Sequence, residues 1–395
     1  MKNCLAIFVI GLCCLCSSPP KNISSFWAVN DENSFPIEFL SDTTIIINQC
    51  INLKGRKMSI PNNVILSFSE KGSIINGVIE GYNTKIVWLG NCIFKNIRIQ
   101  GSWNVPVVNT RMFQDIESID AIKNIAALTS DSVANTVILE PGIYKLTVNA
   151  KNKNGLVFGD NTEIILNGDI ELIPNDLKSY NIICLKGRNI HLHGRGCIIG
   201  DKFTHKGIEG EWGHGINVSG YGNVKVSDIV VKNCWGDCIY VRNKNVDISI
   251  DNCLLDNGRR QGISVTSARN VRITNCNIMN VAGKSPQYAV DIEPNKNDTI
   301  DYVYVENLNM INCKGGFLAS GRAPNSEIKR IELRNSNCSK HIFYPFVFNT
   351  VSYVDIQNCS AGEGRWNIGF KNVKKFVEKS NSIVGHKKAY TVERK

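Results

Sequence analysis

The sequence lacks the features expected of a membrane-spanning or nucleic-acid-binding protein. Beyond Leu15, no stretch of the 395 residues approaches the roughly 20 apolar residues that a membrane-spanning helix needs. The chain also has no basic run and no recognisable DNA-binding motif, despite a net charge of +10,. We therefore expect no transmembrane segment and no nucleic-acid partner. The excess positive charge favours another polyanion, for which acidic polysaccharide fits best.

The N-terminus has the layout of a signal peptide. Lys2 precedes an apolar run from Cys4 to Leu15, and small residues and prolines follow from Cys16 to Pro20,. We therefore expect an exported protein of a bacterium, which is periplasmic, secreted or an outer-membrane lipoprotein. Cys16 resembles the lipidated cysteine of bacterial lipoproteins, and both lipidation and simple cleavage stay open.

The cysteines form a pattern that indicates packing and not disulfide bonding. Of 15 cysteines, four lie in the signal region, which leaves an odd number for the mature chain,. Six of the remainder occur in a repeated Asn-Cys pair: Asn233-Cys234, Asn252-Cys253, Asn275-Cys276, Asn312-Cys313, Asn337-Cys338 and Asn358-Cys359. A buried thiol behaves as a small apolar group. The pair therefore predicts one stacked asparagine and one core cysteine per structural repeat, with few or no disulfides.

Short segments with alternating apolar residues recur at intervals of about 23 to 28 residues. They are Gly215–Ser219, Cys238–Arg242, Gly262–Thr266, Ala289–Glu293 and, more weakly, Phe317–Gly321. The second and fourth residues of each are expected to face inward, because alternate side chains of a strand point to opposite faces. This period predicts an all-β fold made of stacked parallel coils.

A second pattern lies upstream of these repeats. Apolar spacing predicts an amphipathic helix from Asp115 to Ser130, followed by Thr136-Val-Ile-Leu-Glu-Pro-Gly-Ile-Tyr144,. This pairing resembles the start of the pectate-lyase-like superfamily, in which a helix caps the open end of the coils. The resemblance implies a single-stranded right-handed parallel β-helix. We therefore predict a signal peptide at 1–20, an N-terminal accessory β-rich region at 21–110, and the β-helix with its N-terminal capping helix at 111–395.

The repeat alignment predicts which side chains are neighbours outside the coils, because equivalent strands stack about 4.8 Å apart. One predicted outward row contains Asn217, Tyr240, Ser264 and Asp291, and the next contains Ser219, Arg242, Thr266 and Glu293. The residues that enter these strands are His214, Asp237, Gln261 and Tyr288. Arg259, Arg260, Lys296 and Arg322 flank the rows, while Trp212 and Trp235 are placed to stack on sugar rings. Together these residues predict a groove for a sugar polymer.

Two segments of this face resemble polygalacturonase-type hydrolases. Asn233-Cys-Trp-Gly-Asp-Cys-Ile239 and Arg260-Gln-Gly-Ile-Ser-Val265 are similar to the family's Gly-Asp-Asp-Cys-Ile and Gly-His-Gly-Ile-Ser strands. The resemblance implies Asp237 and Asp291 as acid and base. The sequence departs from the pattern at Gly236, where the family has a second aspartate, and at Gln261, where it has histidine.

A second resemblance is to the chondroitinase-B and alginate-lyase β-helices. It implies that Asp291 and Glu293 hold a Ca²⁺ ion, that Lys296 abstracts the C5 proton of a uronate, and that Arg322 assists. The preferred hypothesis is therefore an exported polysaccharide lyase that cleaves an acidic, uronate-containing polymer, for example a glycosaminoglycan, by β-elimination.

The candidate residues follow from these rows and resemblances. The catalytic candidates are His214, Asp237, Tyr240, Arg260, Asp291, Glu293, Lys296 and Arg322. The candidates for substrate binding are Trp212, Asn217, Trp235, Arg242, Arg259, Gln261 and Tyr288. A polygalacturonase-like hydrolase and a non-catalytic glycan-binding solenoid stay open as alternatives.

Overall fold

A computed structural model describes residues Lys21–Asn22, 41–130, 133–364 and 366–385. The predicted signal peptide, including Cys16, lies outside the described residues. Within those ranges, no helix has the length and apolar character needed to cross a membrane. The chain divides into two compact units, of which the first ends at Trp103 and the second begins at Asn104.

The first unit consists of parallel strands. They are β1 Lys21–Asn22, β2 Thr44–Ile47, β3 Cys50–Asn52, β4 Lys57–Ser59, β5 Ile65–Phe68, β6 Ser73–Val87 and β7 Phe94–Trp103. The long strand β6 pairs in parallel with β3, β4, β5 and β7. Buried apolar residues alternate with partly exposed residues along β2 and β5, as expected of strands with one face in a core,.

The second unit is built almost wholly of short strands. It begins with β8 Val107–Asn109, a 3₁₀ turn at Thr110–Met112 and helix α1 at Lys123–Ala127. The strands up to residue 241 are β9 Asn135–Leu139, β10 Ile143–Leu146, β11 Asn154–Phe158, β12 Thr162–Leu166, β13 Asp169–Leu172, β14 Ser179–Leu185, β15 Arg188–Gly194, β16 Cys197–Ile199, β17 Trp212–Val218, β18 Gly222–Ser227, β19 Val230–Lys232 and β20 Ile239–Val241. The remaining strands are β21 Asn245–Asp251, β22 Leu254–Asp256, β23 Ile263–Val265, β24 Ala268–Thr274, β25 Asn277–Met279, β26 Tyr288–Ile292, β27 Thr299–Glu306, β28 Asn309–Ile311, β29 Gly315–Ser320, β30 Glu327–Arg334, β31 Asn337–Ser339, β32 Phe346–Gln357, β33 Ser360–Gly364, β34 Gly369–Lys379 and β35 Ser382–Gly385.

These strands stack in three parallel rows, and each coil contributes one strand to each row. The first row is β11, β14, β17, β20, β23, β26, β29 and the early parts of β32 and β34. The second row runs from β8 through β9, β12, β15, β18, β21, β24, β27 and β30 to the later parts of β32 and β34. The third row is β10, β13, β16, β19, β22, β25, β28, β31, β33 and β35. The predicted all-β fold of stacked parallel coils is confirmed.

The core lies between the three rows. In the first row, inward side chains stack in register from coil to coil, namely Ile216, Ile239, Ile263, Val290 and Phe317, and all are fully buried. The same strict parallel register holds the outward side chains in rows. The core packing therefore also positions the outer face of the first row.

The fifth predicted strand is shifted by one residue from the sequence alignment. Val290 pairs with Phe317, and Asp291 pairs with Leu318, so Leu318 and not Ala319 continues the outward row. A shift of one residue exchanges the two faces of a strand. The alignment was wrong here because it placed Leu318 inward, whereas the larger Phe317 fills the core.

The six Asn-Cys pairs do not share one position in the coil, contrary to the sequence-based expectation. Asn252, Asn275 and Asn358 lie in the turn before the third row, Asn233 and Asn312 lie in the turn after it, and Asn337 lies inside β31. Each coil has two turns that need a left-handed residue, a conformation that asparagine tolerates well. The amides still form ladders, in which Asn307 donates to Asn275 at 3.0 Å and Asn312 donates to Asn280 at 2.7 Å. All six cysteines of the pairs are buried free thiols.

The helix predicted for 115–130 is much shorter in the structure. Only Lys123–Ala127 is α-helical, and Asp120 has a left-handed backbone with φ of 65°. The Asp120 carboxylate accepts hydrogen bonds from the Thr147 backbone amide at 2.7 Å and from the Thr147 hydroxyl. This contact ties the segment to the end of β10 and stops the helix from starting earlier. The capping role of the helix stays a prediction.

Candidate functional site

The outer face of the first row gathers the candidate residues where β17, β20, β23 and β26 stack. Register places Asn217, Tyr240, Ser264 and Asp291 in one row, as the sequence predicted. Backbone amides of Gly215, Cys238 and Gly262 donate to the carbonyls of Asp237, Gln261 and Tyr288, respectively. These bonds place the entering residues His214, Asp237, Gln261 and Tyr288 in the same coil order. The alignment of the first four repeats therefore predicted the neighbours at this face correctly.

Asp237 is fully buried beside two nitrogen-bearing side chains. Its Oδ2 lies 3.5 Å from Nδ1 of His214 and 3.6 Å from Nη1 of Arg260, and neither carboxylate oxygen has a partner at hydrogen-bonding geometry. Burial raises the pKa of Asp237 to about 7, although the Arg260 guanidinium opposes the rise,. A buried carboxyl with two uncommitted oxygens and a pKa near neutrality can give or take a proton during catalysis.

Asp291 forms a second buried carboxyl on the same face. Nε2 of Gln261 donates to its Oδ2 at 2.6 Å, whereas Oδ1 of Asp291 and Oε1 of Gln261 have no partner among the described residues. Burial, and then the negative charges of Glu293 and Asp237, raise the pKa of Asp291 to about 7, against the hydrogen bond from Gln261 and the charge of Arg260. The two aspartates therefore influence each other's ionisation, with Gln261 and Arg260 close to both.

Aromatic and basic side chains surround the aspartates. The rings of His214 and Tyr240 stack with centroids 4.6 Å apart, and Nε of Arg242 donates to Oδ1 of Asn217 at 3.2 Å. The Tyr240 hydroxyl accepts a hydrogen bond from Thr266 at 3.3 Å. Burial lowers the pKa of His214 to about 3, so its imidazole is neutral at physiological pH.

Tyr288 closes one side of the site. It is almost completely buried, and its ring centroid lies 6.2 Å from that of Phe343. Burial, followed by the charge of Asp291, raises the pKa of Tyr288 to about 12. Its phenol is therefore a hydrogen-bond donor under all ordinary conditions.

The electrostatics of this site predict an unusual pH dependence of stability. Folded Asp237 and Asp291 keep their protons up to about pH 7, whereas unfolded aspartate releases its proton near pH 3.9,. Both carboxyls therefore make stability fall as the pH rises from about 4 to about 7. His214 acts in the opposite direction, because its unfolded imidazole takes up a proton below about pH 6.5 and its folded imidazole does not,.

The free energy of unfolding of Asp291→Asn relative to that of the wild-type protein should therefore increase as the pH rises from 4 to 7. Below pH 4 this difference should be constant. Urea unfolding at a series of pH values measures this difference. The matched variant His214→Asn should show the reverse slope, with its stability relative to the wild type improving as the pH falls from about 6.5. A difference for Asp291→Asn that does not change with pH would contradict the burial of an ionisable carboxyl at this position.

The structure places four of the candidate residues at the edge of the site. Lys296 is exposed in the turn after β26, and Glu293 is half-buried. Arg322 is exposed, and its Nε donates to the Ser320 hydroxyl at 2.9 Å. Trp212 is about half exposed at the start of β17. The tightly packed part of the candidate site therefore consists of His214, Asp237, Tyr240, Arg260, Gln261, Tyr288 and Asp291.

Calcium at Asp291 and Glu293 stays a prediction. Ca²⁺ is bound by six to eight oxygens, and this corner offers Oδ1 of Asp291, Oε1 of Gln261 and the half-buried carboxylate of Glu293. The donors are oxygens, as calcium prefers, but Arg260 is close enough to Asp291 to affect its ionisation.

A buried cluster next to the site was missed from the sequence. The Asp201 carboxylate accepts from Nδ1 of His205 at 2.8 Å, from the Asn175 side chain at 3.0 Å, and from the Tyr180 hydroxyl. The His205 ring stacks on Trp235 with centroids 4.0 Å apart. Tyr180 lies in β14, Asn175 in the loop before it, and Asp201 and His205 in the loop after β16. These segments lie outside the aligned repeats, so no periodic signal marked them.

The cluster determines the position of two predicted substrate-binding residues. The Arg259 guanidinium lies 3.6 Å from the centroid of the Trp235 ring, on which it stacks, and its Nη1 donates to the Gly210 carbonyl at 3.0 Å. Trp235 is therefore held between His205 and Arg259. This packing fixes the coil segment that leads into Asp237.

The family profile described as "Right handed beta helix region" matches residues 140–330. This stretch contains the rows of the candidate site from β14 to β29. It is a parallel β-helix. The profile match agrees with the right-handedness that the sequence resemblance implied for the part of the chain that carries the site.

Two curated proteins of Bacillus subtilis (strain 168) are similar to parts of the β-helix chain. The SPbeta prophage-derived uncharacterized protein YorA is 22% identical over 227 residues, which cover 51% of this chain and 39% of YorA. The uncharacterized protein YclG is 29% identical over 170 residues, which cover 38% of this chain and 29% of YclG. The matched region spans less than half of either relative.

Among solved structures, the β-helix is similar to a tailspike protein, gp49, of Acinetobacter baumannii bacteriophage Fri1, a capsular polysaccharide depolymerase. The TM-score is 0.45 and the identity 12%, with 71% of this chain and 57% of the tailspike covered. Similarity at this level carries no information about activity or substrate. The function must be argued from the site itself.

Proposed function

We propose that the protein hydrolyses a glycosidic bond of an acidic polysaccharide, with Asp291 as the catalytic acid and Asp237 as the catalytic base. The observation that carries the proposal is the pair of fully buried carboxyls on one outer face, each with its pKa raised to about 7. Glycoside hydrolysis uses two carboxyl groups, one protonated and one ionised, on either side of the scissile bond. A pair that titrates near neutrality supplies both forms at the pH at which the enzyme works.

The environment of each carboxyl assigns its role. Ionisation of one aspartate makes ionisation of the other less favourable, so near neutrality one of the two can be protonated while the other is charged. Arg260, 3.6 Å from Asp237, favours the charged form there, while the negative charge of Glu293 favours a proton on Asp291. Asp291 is therefore the general acid that protonates the leaving oxygen, and Asp237 is the base that activates water.

This assignment predicts different responses to an activated leaving group. An aryl glycoside with a good leaving group needs little protonation, so Asp291→Asn should lose much less activity on it than on the polymer. Asp237→Asn should lose activity on both substrates to a similar extent, because water must still be activated. Comparing kcat/KM for the two variants on the two substrates measures this. The reverse pattern would exchange the two roles.

The charges around the pair support an anionic substrate. Nη1 of Arg260 lies 3.6 Å from Oδ2 of Asp237. Arg242 follows β20 and Arg259 precedes β23, the next strand of the same row. Guanidinium groups recognise carboxylates and sulfates by paired hydrogen bonds. The net charge of +10 also attracts polyanions from solution,.

β-Elimination is the second candidate because of Arg260 and Tyr240. A lyase must neutralise the uronate carboxylate and then remove the adjacent proton. Arg260 could neutralise the uronate, and Tyr240, stacked on His214, could accept the proton. His214 is a poor base, because its Nδ1 accepts a hydrogen bond from the Asp237 backbone amide at 3.2 Å and burial lowers its pKa to about 3. This alternative leaves the raised pKa of Asp291 without a role, which is why hydrolysis is preferred.

The proposal is tested with the mature protein and a panel of acidic and neutral polysaccharides. Products are followed by new reducing ends and by near-ultraviolet absorbance, with and without a chelator. Hydrolysis gives reducing ends without absorbance, and elimination gives both. Loss of cleavage with chelator, restored by Ca²⁺, would implicate a metal at Asp291 and Glu293. Saturable binding without any product would instead favour the glycan-binding solenoid.

A further inference from the structure

The outer face of the second row carries a cluster of metal-binding side chains away from the two aspartates. His191 and His193 lie two residues apart on β15, so both side chains point to the same face,. Glu163 on β12 pairs directly with His191 in the parallel ladder. One donor atom from each of the three residues lies within 4.8 Å of the other two.

One distance within the cluster equals that between two ligands of a tetrahedral zinc ion. With Zn–N and Zn–O bonds of about 2.0 to 2.2 Å, two ligands of one ion lie roughly 3.3 Å apart. Nε2 of His193 is 3.2 Å from Oε1 of Glu163. The rings of His191 and His193 stack nearly parallel, with centroids 4.2 Å apart, so binding of one ion requires side-chain rotations that turn a nitrogen of each ring toward it.

Neighbouring side chains hold the candidate ligands in place. The Thr136 hydroxyl lies 3.4 Å from Oε2 of Glu163, the oxygen not used by His193, and the Ser227 hydroxyl lies 3.2 Å from Nε2 of His191. Such outer contacts orient ligands and contribute to metal affinity.

We propose that Glu163, His191 and His193 form a zinc-binding site on the second row of the β-helix. Two imidazoles and one carboxylate suit Zn²⁺ better than calcium or magnesium, which prefer all-oxygen ligands,. Three protein ligands leave a fourth position for water or an outside ligand. The site is independent of the proposed hydrolysis, because its residues lie on β12 and β15, and Asp237 and Asp291 lie on the first row.

The experiment titrates the metal-free full-length protein, purified without a polyhistidine tag, with ZnCl₂ in a calorimeter. We expect one saturable site in the wild-type protein. His191→Gln, His193→Gln and Glu163→Gln should each weaken zinc binding by at least about tenfold. Lys225→Gln is the matched control: it removes a neighbouring charge that repels the ion, so zinc binding should be unchanged or tighter. Thermal unfolding of each variant identifies any variant that does not fold.

A second measurement tests whether a cysteine thiol binds the metal, since Cys50 and Cys92 are exposed. Co²⁺ replaces Zn²⁺ and gives a charge-transfer band only when thiolate is bound. The proposal predicts ligand-field bands without that band, and their loss in His193→Gln. It is overturned if the wild-type protein shows no saturable zinc binding, if the folded His191→Gln and His193→Gln variants bind as the wild type does, or if the cobalt spectrum is that of a thiolate.

Discussion

Asp291→Asn and Asp237→Asn should each reduce polysaccharide cleavage by roughly 100- to 10,000-fold, the usual contribution of a general acid or base. The amide has nearly the same shape as the carboxyl but can neither give nor take the proton. Both variants should fold, because the wild-type side chains are buried with raised pKa values and the neutral amide removes that cost. Initial rates of reducing-end formation measure the loss.

Asp256→Asn provides the matched control for both aspartates. Asp256 lies on β22 in the third row, where its carboxylate accepts from the Asn280 side chain at 2.7 Å. Its replacement changes the same functional group on a different face of the solenoid, so cleavage should stay near the wild-type rate. Wild-type activity of Asp291→Asn or Asp237→Asn, or an equal loss in Asp256→Asn, would remove the acid-base pair from consideration.

The second large effect is expected in the core beneath the site. Phe317 on β29 is fully buried, and its ring centroid lies 5.8 Å from that of Phe348, which in turn stacks on Phe370 at 5.5 Å. Phe317→Ala should lower the free energy of unfolding by about 3 to 5 kcal/mol, since it leaves a cavity in a column of aromatic rings. Chemical denaturation measures the change.

Leu318→Ala is the comparison that tests the register. Leu318 pairs with Asp291 on the outer side of the row and retains some solvent exposure, so its truncation should cost only about 1 to 2 kcal/mol. If Leu318→Ala proved more destabilising than Phe317→Ala, the strand would face the other way, and the outward row that contains Asp291 would have to be redrawn.

The first four repeats could be predicted from the sequence because their alternation is regular. Ile216, Ile239, Ile263 and Val290 each stand two residues before the next inward residue, and this fixes the outward neighbours without further information,. The fifth strand could not be placed in the same way. Phe317, Leu318 and Ala319 are all apolar, so alternation gives no signal there, and only the packing of Phe317 against Phe348 decides the face.

The chemistry of the site was harder to predict from the sequence than its location. The repeat alignment placed Asp291 and Glu293 as two outward acids, and the resemblance to the chondroitinase-B and alginate-lyase β-helices implied that they hold calcium. In the structure, Asp291 is completely buried and Glu293 is half-buried. A hydrogen bond from Gln261 to Asp291 connects the residues that enter the strands with the outward row. Burial depends on the coils before and after a strand, which a repeat alignment does not describe. The Asp201 cluster illustrates the same limit, because its contacts join β14 to a loop without periodicity.

Digestion of the polysaccharide in water enriched in oxygen-18 tests the central claim most directly. Hydrolysis by Asp237 and Asp291 must incorporate one labelled oxygen at each cut, and mass spectrometry of the oligosaccharides should show saturated products that carry the label. Products that are unsaturated and unlabelled would contradict the account and establish β-elimination at this face instead.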